Sequence, residues 1–145
     1  MPTAAEHGRR RADVPAPVVV DASAIVTLLI DPGAAGEAVA ARMRHATLLS
    51  PALMPFEVSN VLRRRRNAGM LSAAEADLAH AELVELPVEL WPWQATATRV
   101  WELGANLSSY DAAYVALAEE TDAPLLTRDA RLASAPGIRA RVELV

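Results

Sequence analysis

The chain has 145 residues, the usual size of one domain, with 52% apolar residues, 22% charged residues and a net charge of −4. It contains no cysteine and no lysine, which excludes disulfides, thiolate metal sites, lysine Schiff-base chemistry and a lysine-based phosphate loop. The negative net charge argues against a general polyanion-binding protein, although it permits a local strip of arginines.

The N-terminal segment differs in composition from the rest of the chain. Residues 1–16 include Arg9, Arg10 and Arg11 but no apolar run, so they lack the pattern of a secretory signal. The longest apolar segment, residues 18–30, contains Asp21 and is too short to span a bilayer. We therefore expect a flexible extension over residues 1–16, one domain over residues 17–145, no membrane contact and a cytoplasmic location.

Strand and helix patterns alternate through the first half of the domain. A run of valines predicts a buried strand over residues 18–20, and helical patterns follow over 22–29 and 34–44, before a strand over 47–49. A proline near its start and Gly69 beyond its end delimit a helix over 55–67. Ser72 and Glu75 form a capping box for a helix that runs to about Leu86.

The second half continues the alternation. It has predicted strands over residues 88–90, 125–127 and 141–145, and predicted helices over 93–104, from Ser108 onward, and over 129–134. This order favours parallel strands joined by right-handed crossovers. We therefore predict an α/β fold, a three-layer α/β/α sandwich around a central, mostly parallel sheet.

Four acids occupy the positions where such a sheet binds its ligands. Asp21 directly follows the first strand, and Asp129 follows the strand over 125–127 by one residue. Glu57 and Asp111 lie in the first turns of helices that we expect to start at the same edge. Taken singly, Asp21, Glu57 and Asp111 are better explained as residues that cap helix amides. The occurrence of all four acids at positions expected to share one edge of the sheet is what predicts a site.

Convergence of these four acids has a chemical consequence. Two carboxylates about 4 Å apart repel by ~4 kcal/mol at an effective dielectric constant of ~20, so a cluster of four requires a cation. Carboxylate and water oxygens are the ligands that suit Mg²⁺ or Mn²⁺. Such an ion makes hydroxide available near neutral pH and screens phosphate charge, which indicates metal-assisted phosphodiester hydrolysis.

The segments around the four acids resemble the motifs of a known family. They are residues 19–24 (VVDASA), 55–62 (PFEVSNVL), 109–118 (SYDAAYVALA) and 126–132 (LTRDARL). In this order and spacing they resemble PIN-domain ribonucleases, in particular the VapC-type toxins of bacterial toxin–antitoxin pairs. The resemblance covers residues 18–145, and it implies a PIN-like fold for that part of the chain.

The resemblance also implies an activity and partners. It implies a Mg²⁺- or Mn²⁺-dependent endoribonuclease that cleaves structured RNA such as tRNA or rRNA, leaving 3′-hydroxyl and 5′-phosphate ends. It implies a homodimer that a small VapB-type antitoxin holds inactive. In that interpretation Asp21, Asp111 and Asp129 bind the metal, and Glu57 shares this task or orients the attacking water.

Other residues are candidates for supporting roles at this site. Ser23 and Thr127 are expected to hydrogen-bond a carboxylate or a water, with helix entry and a strand-end turn as the alternatives. Asn60 shares a helical face with Glu57 and is a candidate supporting residue, with a plain surface asparagine as the alternative. Helices over 34–44 and 55–86 are rich in alanine, leucine and valine, and we expect some of this surface to contact an antitoxin or a second subunit.

A run of four arginines, residues 63–66, precedes the end of one predicted helix. Successive helical residues point about 100° apart, so the four side chains cannot all face one ligand. Arg63, Arg64 and Arg66, with Arg128 beside Asp129, are the candidates for contact with RNA phosphates. The alternative is a solvated helix C-terminus, where cations favour the helix dipole.

Three other functions are compatible with a parallel α/β fold. A phosphoacceptor receiver domain is disfavoured because the chain has no lysine to place beside an acyl phosphate. A dinucleotide-binding domain is disfavoured because no Gly-x-Gly-x-x-Gly follows the first strand. A PIN-like fold that serves as a non-catalytic RNA- or protein-interaction module stays open as the alternative function.

Overall fold

Residues 14–145 are described by a computed structural model, and their five strands form one sheet in which all neighbours are parallel. The strands are β1 (Pro17–Val20), β2 (Thr47–Pro51), β3 (Val88–Trp91), β4 (Leu125–Thr127) and β5 (Val142–Leu144). Their spatial order is β3-β2-β1-β4-β5. The predicted α/β class with a parallel central sheet is therefore confirmed.

The described residues include seven α-helices. They are α1 (Ala22–Ile30), α2 (Ala34–Met43), α3 (Met54–Asn67), α4 (Ala73–Glu85), α5 (Ala97–Glu102), α6 (Ser109–Thr121) and α7 (Ala130–Ala133). Helices α1 to α4 contact one another, and α5 contacts α6. Because the strand order reverses direction between β3 and β4, right-handed crossovers place α1–α4 on one face of the sheet and α5–α7 on the other.

Local sequence signals account for several element boundaries. The three valines of β1 are fully buried, as expected for a strand covered on both faces. Gly69 adopts a φ of +73° just beyond α3, a conformation that ends a helix without strain only at glycine. The Ser72 hydroxyl accepts from the Glu75 amide at 3.1 Å, and the Glu75 carboxylate accepts from the Ser72 amide at 2.7 Å. The predicted capping box is therefore confirmed.

One predicted helix is broken in the structure. Residues 93–104 form a 3₁₀ turn (Trp93–Ala95), helix α5 and a second 3₁₀ turn (Leu103–Ala105). The break occurs at Thr96, whose φ of −127° and ψ of −1° lie outside the helical region. The apolar periodicity of this segment predicted helical residues but not the interruption, which tertiary packing around the buried Thr96 decides.

Helix α6 is the central helix of its face. Its residues 112–118 are all buried, and the helix contacts β1, β2, β4 and α5. Four of these seven residues are alanines, whose small side chains allow close approach to the sheet. Since α6 precedes β4 and runs back across the sheet, its N-terminus lies at the edge where the strands end. This orientation brings Asp111 to that edge.

The N-terminal extension that the sequence predicts lies almost wholly outside the described residues. Of its last residues, Pro15 and Ala16 already contact the sheet, because their carbonyl oxygens accept hydrogen bonds from Thr47. Within residues 14–145, no single helix has the length and apolar character to cross a membrane, although the bent pair α1 and α2, at 119°, reaches both when counted together.

Candidate metal centre

The candidate site lies at the carboxyl ends of β1 and β4, where the strand order reverses. The first connection from β1 leads toward β2 and the connection from β4 leads toward β5, so a crevice opens between them. Asp21 follows β1 and caps α1, and Asp129 caps α7. The two flanking helices α3 and α6 bring Glu57 and Asp111 to the same edge in their first turns.

Asp21 is the most firmly held of the four acids. Its Oδ1 accepts from the Ser23 hydroxyl at 2.6 Å and from the Ala24 amide at 3.0 Å, and its Oδ2 accepts from the Thr127 hydroxyl. Burial raises the pKa of Asp21, these hydrogen bonds oppose the rise, and the charge of Asp129 adds to it. Three of its roughly four acceptor positions are occupied, which leaves one on Oδ2 for an external ligand.

Ser23 and Thr127 join the two halves of the crevice. The Ser23 hydroxyl also accepts from the Arg128 amide at 2.9 Å, and the Thr127 hydroxyl accepts from the Asp129 amide at 2.9 Å. Each hydroxyl therefore donates to Asp21 and accepts from the turn after β4. The expectation that these residues hydrogen-bond a carboxylate agrees with these contacts, and the same contacts fix the turn that carries Asp129.

Glu57 is a half-buried acid, and no cation from residues 14–145 pairs with it. Its Oε1 is inaccessible to solvent and has no hydrogen-bond partner in the described part of the chain. Burial, together with the charges of Asp111 and then Asp21, raises the pKa of Glu57 from 4.5 to about 7. A buried carboxylate without a partner is costly, so this oxygen is a position where an external cation or proton would be stabilising.

Asp111 and Tyr114 occupy one face of α6 beside Glu57. The Asp111 amide donates to the Ser108 hydroxyl at 3.1 Å, so the backbone of this residue belongs to the helix cap. Its carboxylate accepts no hydrogen bond from residues 14–145 and is free to bind a ligand. The buried Tyr114 hydroxyl lies close to the Glu57 carboxyl, but the two groups do not reach good hydrogen-bond geometry.

Asp129 is paired with an arginine two residues away. The guanidinium of Arg131 donates to Asp129 through Nε at 3.1 Å and Nη2 at 2.7 Å, and the Arg131 amide donates at 2.9 Å. These hydrogen bonds hold the pKa of Asp129 below its usual value. Asp129 therefore differs from Glu57, because it already has a cationic partner from this chain.

The four acids share one edge, but they are not closed around one point. Within residues 14–145, no three acidic or histidine side chains are close enough to hold a single ion. The closed four-carboxylate cradle that the sequence predicts is therefore not formed by these side-chain positions. Like charges repel at short range, and Asp129 is drawn to Arg131 instead of its acidic neighbours.

The donor set nevertheless fits a hard divalent cation. All four groups are carboxylates, and oxygen ligands are those that Mg²⁺ and Mn²⁺ prefer. The orphaned Oε1 of Glu57 and the free carboxylate of Asp111 supply open acceptor positions beside the well-held Asp21. The charges of Asp111 and Asp21 act to raise the pKa of Glu57, as expected for acids that share this edge of the sheet.

Within residues 14–145, the remaining predicted residues form no hydrogen bond or ion pair with the four acids through their side chains. Asn60 is exposed and lines a cleft between α3 and α4, with no hydrogen bond to any of the four acids. Arg63 and Arg66 line the same cleft, and Arg66 pairs with Asp77 at 3.5 Å. The Arg128 guanidinium donates to the Val145 carbonyl oxygen. Supporting and RNA-binding roles for these residues stay predictions.

Two residues of this site, Tyr114 and Arg131, are not among those predicted from the sequence. Tyr114 lies three positions after Asp111, a spacing that places both on one helical face, so the sequence contains a signal for it. Arg131 is two positions after Asp129, but nothing in the local pattern says that its side chain turns back. Only the path of the chain at the short helix α7 brings the two groups together.

Comparison with known proteins shows which family the chain resembles. The model of the PIN domain family matches residues 18–138. A curated relative, the ribonuclease VapC12 of Mycobacterium tuberculosis, is 38% identical over 128 residues, which span 88% of this chain and 98% of the relative.

Solved structures show the same fold. PAE2754 from Pyrobaculum aerophilum superposes with a TM-score of 0.64 at 22% identity, covering 97% of this chain and 92% of the other. VapBC2 from Rickettsia felis, solved with a DNA fragment from its promoter, gives a TM-score of 0.64 at 11% identity, covering 88% and 98%. Together with the matched motifs, these likenesses establish that the chain belongs to the PIN domain family and that its relatives include VapC ribonucleases.

Proposed function

We propose that this chain is a Mg²⁺- or Mn²⁺-dependent endoribonuclease and the toxin of a VapC-type toxin–antitoxin pair. The observation that carries the proposal is the half-buried Glu57 carboxyl, whose inaccessible Oε1 has no partner within residues 14–145 and which has acidic neighbours at the ligand-binding edge of the sheet. The ribonuclease name of relatives such as VapC12 supports the reaction class. RNA such as tRNA or rRNA is the proposed substrate.

The residues have separable roles in this reaction. Asp21, Asp111, Asp129 and Glu57 would hold the ion, which would make hydroxide available near neutral pH and screen charge on the phosphate. Asp21 is the fixed member, because Ser23 and Thr127 orient its carboxylate. Glu57 either joins the ligand set or accepts a proton from the attacking water, for which a pKa of about 7 is well placed.

The position of Arg64 on α3 makes it the arginine best placed to meet the RNA backbone. It follows Glu57 by seven residues, which is close to two full helical turns, so both residues lie on one face about 10 Å apart along the helix axis. Arg63 and Arg66 point toward the cleft shared with α4 instead. We therefore assign the main phosphate contact of this helix to Arg64.

Arg64→Ala should weaken RNA binding by about 3- to 10-fold and lower the dependence of binding on salt, since a lost phosphate contact releases one counterion fewer. The measurement is fluorescence anisotropy with labelled tRNA in the inactive Asp111→Asn background at several salt concentrations. Arg63→Ala removes the same charge from the neighbouring face and is the matched control. Equal losses in the two variants would contradict the assignment to Arg64.

A protein partner is part of the proposal. Several exposed apolar side chains lie on α3, α4 and β3, where Phe56, Leu78, Val84 and Leu90 are 44–75% exposed. Large exposed apolar groups in one region are typical of an interface. We propose that this region contacts a second copy of the chain in a homodimer or a VapB-type antitoxin. A single-chain mass in light scattering at high concentration would rule out the homodimer.

RNA cleavage that requires a divalent ion is the direct test of the enzyme. Asp111→Asn should lower cleavage of tRNA or rRNA by about 100-fold or more in Mg²⁺ or Mn²⁺, because the lost carboxylate is a proposed ligand. Its thermal unfolding should match that of the wild type, since the Asp111 carboxylate makes no hydrogen bond within residues 14–145. Gel analysis of product ends with and without chelator gives the readout.

The alternative function has its own signature in the same experiment. A non-catalytic interaction module would bind RNA without cleaving it at any concentration of Mg²⁺ or Mn²⁺. In that case Asp111→Asn and the wild type would give identical gels. The presence of all four acids at one edge favours the enzyme.

A further inference from the structure

The ion pair between Arg131 and Asp129 has unusual features for a surface contact. It is bidentate, with distances of 2.7 and 3.1 Å, and the Arg131 amide adds a third hydrogen bond to the same carboxylate. The Arg131 side chain is nevertheless 87% exposed, and the helix that carries it has only four residues. No other side chain in residues 14–145 holds this guanidinium, so it is free to rotate away.

The surroundings of Arg131 place it between two of the acids. A cleft of about 490 Å³ is lined by Asp111, Asp129 and Arg131, with Ser108 and Ser134 at its sides. The negative charge of Asp111 acts on Arg131 as well as that of Asp129. Arg128, the other arginine beside Asp129 in the sequence, turns away to the carbonyl oxygen of Val145. Arg131 is therefore the cation of this cleft.

The hydrogen bonds to Asp129 leave little room for another ligand. Its Oδ1 accepts two hydrogen bonds and its Oδ2 accepts one, so three of about four acceptor positions are taken by Arg131. A divalent ion cannot use this carboxylate fully unless the guanidinium withdraws. A withdrawn guanidinium keeps a geometry that suits phosphate oxygens as well as carboxylate oxygens.

We propose that Arg131 is a displaceable internal cation, which competes with the divalent ion for Asp129 and, once released, binds a phosphate of the RNA. The inference rests on the proposed function and assigns a positioning and substrate-binding residue to that site. It also accounts for the position of the Asp129 carboxylate, which is paired with Arg131. The pair has two arrangements, and ligand binding selects the second.

Metal affinity tests the first half of the proposal. Arg131→Gln should bind Mn²⁺ about two- to five-fold more tightly than the wild type, because an exposed ion pair of this kind no longer competes. Titration calorimetry of the purified full chain with Mn²⁺ alone gives the dissociation constants. Arg128→Gln removes an equal charge from the neighbouring position and controls for general electrostatics, so its affinity should stay closer to that of the wild type.

A double-mutant comparison isolates the contact itself. In the Asp129→Asn background, Arg131→Gln should no longer tighten Mn²⁺ binding, since the carboxylate for which the two cations compete is gone. Arg131→Lys keeps the charge but loses the bidentate geometry, and it should fall between the wild type and Arg131→Gln. If Arg131→Gln tightened binding equally with and without Asp129, competition for that carboxylate would be excluded.

RNA affinity tests the second half. At saturating Mn²⁺, Arg131→Gln should raise KM for tRNA by about three-fold or more, while the Mn²⁺ concentration required for half-maximal cleavage falls. The substitution is thus expected to strengthen metal binding and to weaken RNA binding, which is the result that an exchange of Arg131 between Asp129 and a phosphate predicts. A merely structural arginine would weaken both ligands together, and that result would overturn the inference.

Failure of this inference can be told apart from failure of the proposed function. A wild-type chain that binds no Mn²⁺ would overturn both. A wild-type chain that binds Mn²⁺, with Arg131→Gln and Arg128→Gln equal in affinity, would overturn the role of Arg131 and leave the metal-dependent nuclease intact.

Discussion

A glutamate is found near each end of α6, and the two differ in the partners that the fold provides for their carboxylates. Near its last turn, Glu119 accepts from Arg99 at 2.6 and 3.2 Å and from the Arg139 amide at 2.6 Å. Burial acts to raise the pKa of Glu119, but these partners outweigh burial and hold the pKa below its usual value. Beside its first turn, Glu57 of α3 has no cation, and its pKa rises to about 7.

This difference separates a structural acid from an acid available for chemistry. The carboxylate of Glu119 is satisfied within the chain, and Arg99 also donates to the Gly137 carbonyl oxygen, so the group ties the segment before β5 to α5 and α6. The carboxylate of Glu57 lacks such partners and favours whatever proton or cation reaches it. Burial acts to raise the pKa of both carboxyls, and the presence or absence of arginine partners decides their roles.

The largest effect is expected when the satisfied glutamate is changed. Glu119→Gln should lower the free energy of unfolding by about 2 kcal/mol, because it removes the mostly buried carboxylate that pairs with Arg99 and leaves the guanidinium only the exposed Glu102 as a charged partner. Urea denaturation followed by circular dichroism measures the loss. Cleavage by the protein that remains folded should persist.

Glu120→Gln is the matched control for this change. Glu120 is the next residue of α6, is exposed and forms no ion pair with residues 14–145. Its substitution should change the unfolding free energy by less than about 0.5 kcal/mol. If both variants lost the same stability, the hydrogen bonds to Glu119 would not be the structural element that we describe.

A smaller effect on the free energy of unfolding is expected at Glu57, where removal of the charge should stabilise the protein at high pH. The pKa of Glu57 is about 7 in the folded state and near 4.5 when unfolded, so folding favours its protonated form. Its stabilising contribution is complete below about pH 4.5 and is lost as the pH rises through 7. Allowing for solvent screening, the metal-free protein should lose about 1–2 kcal/mol between these limits through this group.

Comparison with Glu57→Gln isolates that contribution. The variant cannot ionise, so its unfolding free energy in chelator should decline less between pH 5 and pH 8 than that of the wild type. At pH 8 the variant should be the more stable of the two, and added Mn²⁺ should stabilise only the wild type appreciably. Parallel pH profiles for the two proteins would show that Glu57 is not an uncompensated acid with a raised pKa.

Much of the fold follows from local patterns in the sequence. The valines of β1, the capping box at Ser72 and the glycine after α3 each predicted an element boundary that the structure confirms. These signals act over a few residues, so the boundaries can be predicted without tertiary information. The break of the predicted helix at Thr96 could not be predicted, since a threonine weakens a helix without ending it and the conformation of this buried residue depends on packing.

The sequence by itself determined the family and the four candidate acids, because their motifs follow strand ends and helix starts in a fixed order. Only the tertiary structure decided which acids have partners: Ser23 and Thr127 hold Asp21, Arg131 holds Asp129, and Glu57 is left without a cation. The physical reason is that hydrogen bonds and ion pairs depend on distances between side chains. Residues such as Asp21 and Thr127, 106 positions apart, meet only when β1 and β4 pair.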